Sequence, residues 1–276
     1  MRIIILLITI FLFTVKSFTR DLHVYLVGGT IRDRMNIVKG EFEADMFAKS
    51  ISAMQNFVDE VDNYTKLNVI RYDFTGDNFN KELLLKHLKK TDFTDDIVLF
   101  YSISHGQNMS GCLYPYLDLG YTRDKENELI GGDVGISSCE INEIIKSKKP
   151  RLQIMLYDAC NNVATNTLSS ASINKKYKKY YSHLFEKATG YVIMSGTKKG
   201  DVGIVDPKRG GWFTNYFLRS IYESFDGDNW KKPDGWAEIC KKALDDLATA
   251  TFGHSELKKV SQTNQTGYYD EDVIYK

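Results

Sequence analysis

The chain has 276 residues, of which 43% are hydrophobic and 26% charged, enough apolar material for a full-sized core and inconsistent with a disordered or fibrous polymer. Lys+Arg and Asp+Glu balance at 36 each, so no overall field draws the molecule to nucleic acid or to an anionic membrane. One domain is expected at this length.

The first stretch, "MRIIILLITIFLFTVKSFT", has Arg2, an unbroken apolar run from Ile3 to Phe13, and Val15 and Ser17 spaced as a cleavage signal likes. It reads as a secretory signal peptide over residues 1–17, leaving 18–276 as the mature chain in a secreted or periplasmic location. The run is shorter than the roughly 20 residues that cross a bilayer, so no stable membrane insertion is expected after cleavage.

Next comes "LHVYLV" (22–27), then Ala44, Phe47, Ile51, Met54, Val58 and Val61 at helical spacing. "LNVIRYDF" (67–74) and the helical "NKELLLKHLKK" lead to "DIVLFYSIS" (96–104). Ser137 and Glu140 have capping-box spacing and open "CEINEIIKS" before "LQIMLY" (152–157). "GYVIMSG" (190–196) follows, and Gly210-Gly211 precedes "WFTNYFLRSI", with Phe213, Phe217 and Ile221 on one side. Asp234 is expected to cap a last helix on which Trp236, Ile239, Ala243 and Leu247 keep helical spacing. Continuous apolar strands alternating with helices predict an α/β fold, a doubly wound, mostly parallel sheet flanked by helices. The two longest stretches without strand character, about 107–136 and 161–189, directly follow the third and fourth strands.

The cysteines are Cys112, Cys139, Cys160 and Cys240. No spacing among them suggests zinc, and no cofactor is called for or calcium requirement indicated. In an exported chain disulfides are allowed, and if Cys160 is kept free for chemistry at most one can form among the other three, its pairing left open. Asn63, Asn108 and Asn264 head formal glycosylation acceptors.

In an open parallel sheet, ligands bind beyond the carboxyl ends of the strands, and His105 and Cys160 each end one. A cysteine thiol titrates near 8.5, and a nearby imidazole shifts it toward the nucleophilic thiolate. His105 would also protonate a leaving amine. Gly106 lets backbone approach a substrate closely, and its N–H with that of Cys160 would hold a developing oxyanion. Asp158, two residues before Cys160, would line the same cleft and attract a basic side chain, or else cap the following turn or helix. There is no G-x-S-x-G, H-E-x-x-H or phosphate loop to suggest another hydrolase.

"FYSISHG" and "MLYDAC", 55 residues apart from His105 to Cys160, resemble the paired strand ends of the caspase and metacaspase superfamily of cysteine peptidases. "VIMSGTKKGD" followed by "GGWFTNYFL", and the late "SQTNQ", are similar to the metacaspase side of it. The resemblance implies a caspase-hemoglobinase fold, a protein or peptide substrate, His105 as general base or acid, Cys160 as nucleophile and Gly106 as oxyanion donor. It further implies Arg or Lys preference, with Asp158 as the charged determinant helped by Ser195 and by Asp201, the nearest acid after Lys198-Lys199. Asn161-Asn162 departs from the small residue and glycine usual after the nucleophile. The basic loop "INKKYKKYY", Ile173 to Tyr181, stands where this superfamily is often cut, so self-cleavage at Lys175, Lys176, Lys178 or Lys179 is a possible activation step beside a plain solvated loop. A monomer is compatible with all of this. The altered loops motivate one alternative, a catalytically silent module that keeps the fold for binding.

Overall fold

The computed structural model describes residues 19–29, 40–107, 111–119, 122–123, 129–130, 135–160, 177–198, 203–206, 208–224, 235–252 and 265–276. The leader, Asn161-Asn162, Ile173–Lys176, Asp201 and Asp234 lie outside them. In chain order the elements are β1 (Asp21–Gly28), α1 (Gly40–Tyr64), β2 (Asn68–Thr75), a 3-10 turn, α2 (Lys81–Lys90) and β3 (Ile97–Gln107). Then come β4 (Tyr116–Asp118), β5 (Thr122–Arg123), β6 (Leu129–Ile130), β7 (Gly135–Ser137), α3 (Ser138–Ser147) and β8 (Leu152–Cys160). The last third holds α4 (Tyr177–Tyr181), a π turn (Ser182–Lys187), β9 (Ala188–Ser195), β10 (Val205–Asp206), β11 (Gly210–Gly211), α5 (Trp212–Glu223), α6 (Trp236–Thr251) and β12 (Tyr268–Tyr275).

The main sheet runs β12-β9-β8-β3-β1-β2, and every neighbouring pair is parallel except β12 against β9. The chain winds outward from β1 to β2, returns to β3 and continues outward the other way, so the fold is the doubly wound, mostly parallel sheet that the alternation of strands and helices predicts. Both faces are covered, which explains why β1, β3 and β8 are largely apolar on both sides. One face packs Met46, Phe47, Met54, Phe57, Phe213, Phe217 and Trp236 from α1, α5 and α6 against Leu99, Tyr101 and Ile154. The other sets Leu84 and Leu88 of α2 and Ile141 and Ile145 of α3 against Val98, Phe100, Met155 and Tyr157.

Local chemistry sets the helix starts. Asn80 accepts from the Glu82 and Leu83 amides to begin α2, and Ser137 accepts from the Cys139 amide to begin α3. Asp234, expected to cap the last helix, lies outside the described residues; α6 has Gly235 in its N-cap position, whose N–H donates to Glu238 Oε2 at 2.9 Å, while the Trp236 N–H donates to the Tyr275 hydroxyl at 2.6 Å. The phenol from β12 thus accepts from the first amide of the helix, and the glutamate one turn on accepts from the amide before it, as in the return half of a capping box.

The segment expected to lack strands contains several. β4 pairs with the end of β3, Gly106 opposite Leu117 and Gln107 opposite Tyr116, and β7 pairs with β4. Cys112 is disulfide-bonded to Cys139, while Cys240 is a buried free thiol in α6. The end of the basic stretch is also not a loop: Tyr177–Tyr181 is helical, with Tyr180 and Tyr181 buried. Tyr181 stacks on Tyr64 at 5.7 Å and donates to Glu60 Oε2 at 2.6 Å, so aromatic burial overrides the basic composition.

At the amino edge of the sheet, Asp96 accepts from the Asp21 amide and pairs with His23 Nε2 at 3.2 Å. Nearby, the Arg151 guanidinium donates to the carbonyls of Phe185, Glu186 and Ala188, which closes the end of the π turn onto β8. No helix among the described residues is long and apolar enough to cross a membrane.

Candidate active site

β3 and β8 lie side by side in parallel register from Ile97 opposite Leu152 to His105 opposite Cys160. The strand ends singled out by sequence therefore meet at the carboxyl edge, in the middle of the sheet. His105 is half-buried, with the edge of its ring toward Phe47 of α1 at 5.7 Å, and Ser104 Oγ donates to the His105 carbonyl at 2.8 Å.

Gly106 is enclosed on both sides. A Cβ at this position would lie 2.8 Å from Ala159 Cβ on β8, 3.2 Å from the Tyr116 carbonyl on β4 and 3.4 Å from Pro115 Cβ. Any side chain would push these two strands apart, so glycine is required by packing as well as suited to a backbone donor.

Asp158 projects from the same side of the sheet as Tyr101, toward α5, and is only 1% exposed. Its Oδ2 accepts from the Thr214 amide at 3.1 Å and from Thr214 Oγ1 at 2.5 Å. Thr214 is the third residue of α5, whose N-cap position is Gly211 and offers no side chain. The carboxylate of a distant strand thus caps the helix, where it also meets the positive end of the dipole. The Gly-Gly pair follows from the same approach: a Cβ on Gly211 would sit 1.9 Å from Asp158 Oδ2, and one on Gly210, whose φ is +89°, would sit 2.1 Å from Ser50 Oγ. Burial pushes the Asp158 carboxyl up to about 6, against the two bonds from Thr214 that favour its charged form.

The polar string continues inward. The Tyr101 hydroxyl lies 2.6 Å from Thr214 Oγ1, and Ser50 Oγ accepts from the Gly211 amide at 2.7 Å. Burial, then the charge of Asp158, raises the Tyr101 phenol well above its ordinary value. Sequence reasoning missed Thr214, Tyr101 and Ser50. The visible trace was the Gly-Gly-Trp-Phe-Thr stretch, whose threonine reaches Asp158 only through the fold.

Ser195 is brought elsewhere. It ends β9 fully buried, in register with Tyr157 and on the side of Tyr191 and Ile193, which faces α3 and not α5. Its hydroxyl donates to the Thr197 carbonyl at 2.7 Å and accepts from the Thr197 amide at 3.3 Å, a local turn. Gln265, the end of "SQTNQ", precedes β12: its Nε2 donates to the Gly196 carbonyl and its Oε1 accepts from the Ile204 amide, which holds the end of β9 against the β10–β11 hairpin. Among the described residues, the one group able to gather a metal ion is Asp21, His23 and Asp96, at the opposite edge of the sheet.

The family model for the caspase domain matches residues 41–269. Among solved structures, the crystal structure of caspase-1 from Spodoptera frugiperda is similar with a TM-score of 0.53 and 13% identity, over 91% of this chain and 86% of that one. At that identity the likeness speaks for the fold. No curated protein matches the chain in sequence.

Proposed function

The chain belongs to the caspase-domain family of cysteine peptidases, and from that premise we propose that it is a secreted endopeptidase cleaving after Arg or Lys through a Cys160–His105 dyad. The observation that carries this reading is the register of β3 and β8, which sets His105 opposite Cys160 at the carboxyl edge. His105 takes the thiol proton and Cys160 attacks the scissile carbonyl. The amides of Gly106 and Cys160 receive the oxyanion, and His105 returns the proton to the leaving amine. Water then hydrolyses the acyl-enzyme by the same relay.

The preference for basic residues rests on Asp158, a carboxylate held two residues before the nucleophile with Thr214 as its hydrogen-bond donor. Asp201 would add charge from the following loop. Ser195, engaged with Thr197 on the other side of the sheet, would act by shaping the end of β9. Export is supported by the leader and by the Cys112–Cys139 disulfide, a bond that oxidising compartments maintain.

Fluorogenic peptides with Arg, Lys, Asn or Asp on the acyl side of the scissile bond, assayed with the mature chain beside Cys160→Ala, test the proposal. Cleavage after Arg or Lys that vanishes in the variant is expected. An absence of variant-sensitive cleavage on every peptide, with and without calcium, would leave a silent binding module as the better account.

A further inference from the structure

We propose that the Cys112–Cys139 disulfide is a positioning brace for the His105–Gly106 strand end, and that it makes peptidase activity conditional on oxidation. The proposal rests on the cysteine-peptidase reading above. From Cys112 the chain passes through buried Tyr114 and Pro115 into β4, whose Tyr116 and Leu117 pair with Gln107 and Gly106. The wall against Gly106 is therefore made by Pro115 and Tyr116, three and four residues beyond the disulfide sulfur. From the other side, β7 pairs with β4 and runs into α3, whose second residue is Cys139. The Pro115 carbonyl accepts from both the amide and the hydroxyl of Ser138. α3 is itself fixed to the strand of the nucleophile, since the Tyr157 hydroxyl donates to Asn142 Oδ1 at 2.6 Å.

The disulfide thus ties the segment that walls Gly106 to a helix anchored on β8. β4 meets β3 through only two residue pairs and β7 through three, so its hold on the Gly106 end of β3 is short. When a dithiol reductant opens the bond, the S–S linkage breaks, two thiols form, and the reductant leaves as its own disulfide with two electrons transferred. β4 then keeps its ladders with β3 and β7 and the Ser138 bonds to Pro115 but loses its covalent tie to α3, and the wall that orients the Gly106 amide loosens. A chain still inside a reducing cell would be slack at this point. After export, a disulfide oxidant would exchange with the two thiols, taking their two electrons and two protons and leaving as a dithiol, and the Cys112–Cys139 bond would set the brace.

The experiment compares the oxidised chain, with its linkage mapped by mass spectrometry, with Cys112→Ser/Cys139→Ser. Four readouts are taken: kcat and KM on an Arg or Lys peptide, the pH dependence of Cys160 alkylation by iodoacetamide, hydrogen exchange over residues 103–107 and 115–118, and Tm. The expected result is kcat lower by about tenfold or more with KM changed much less, an alkylation profile moved to higher pH, and faster exchange in both segments at temperatures below Tm. Values of kcat and of alkylation within about twofold of the oxidised chain would overturn the proposal, as would finding Cys112 and Cys139 unlinked in the exported protein. If the double variant fails to fold, reduction and reoxidation of the unaltered chain decides, with circular dichroism showing that the fold persists: activity and slow exchange must be lost and regained together. Should the oxidised chain cleave no peptide, the peptidase reading fails, whereas alkylation and exchange still judge the brace.

Discussion

Asp158 sits where almost no water reaches, and its ionisation couples the fold to pH. Its folded-state value of about 6 lies above the ordinary 3.8, so the charged carboxylate burdens the native state fully above pH 6. The burden fades as pH falls through 6 and is gone below about 4. Urea unfolding at pH 7.5 and pH 5 should therefore show this group's contribution becoming more favourable on acidification, by roughly 1 kcal/mol, and Asp158→Asn should flatten the difference. The same protonation would remove the charge proposed to attract a basic side chain, so kcat/KM on Arg peptides is expected to fall as pH drops through 6 more steeply than on neutral ones. Equal pH profiles for both substrates would remove Asp158 from specificity. Gly106→Ala should cost about 1–3 kcal/mol through the clash with Ala159 and Tyr116 and lower kcat beyond that loss, measured by thermal unfolding beside peptide kinetics.

At the level of elements, α4 narrows where the chain can be cut. Lys178 and Lys179 lie within a helix whose Tyr180 and Tyr181 are buried, and a peptide bond must leave a helix to enter a protease cleft. Any self-cleavage is expected after Lys175 or Lys176, read from fragment masses; cuts at Lys178 or Lys179 would show that α4 unwinds. β12 is the edge strand beyond β9 and carries Asp270, Glu271 and Asp272 in succession. Three adjacent acids set against a second copy of themselves repel, which blunts edge-to-edge pairing. Sedimentation should give a monomer, and Asp270→Thr/Asp272→Thr should shift the chain toward dimers or larger species. Elements of this size differ in how well the sequence announces them. β1, β3, β8 and β9 were legible because a strand buried on both faces is an apolar run, whereas β4 to β7 have only two or three residues each and no period to detect. α4 was hidden by lysines that say loop while its tyrosines bury. The helix cap at Asp158 and the choice of Cys139 for Cys112 depend on contacts between distant segments, which spacing alone does not encode.

For the whole molecule, β3 and β8, which carry the proposed dyad, are the two innermost of the main sheet, and both faces beneath them are packed. With the disulfide formed, their amides should exchange only through global unfolding, so peptide cleavage and tryptophan fluorescence of the oxidised chain are expected to disappear at one denaturant concentration. Loss of the disulfide, which spans a separation of 27 residues, should lower global stability by about 3–4 kcal/mol in the chain-entropy account. The opposite rim has a different character. There Arg151 binds the carbonyls of Phe185, Glu186 and Ala188, and Asp96 holds Asp21 and His23. With its amino rim fastened by contacts of its own, the sheet can keep its register while loops at the carboxyl rim lengthen, shorten or reverse charge. Descendants of this chain would then diverge in what they cut long before they diverged in how they fold.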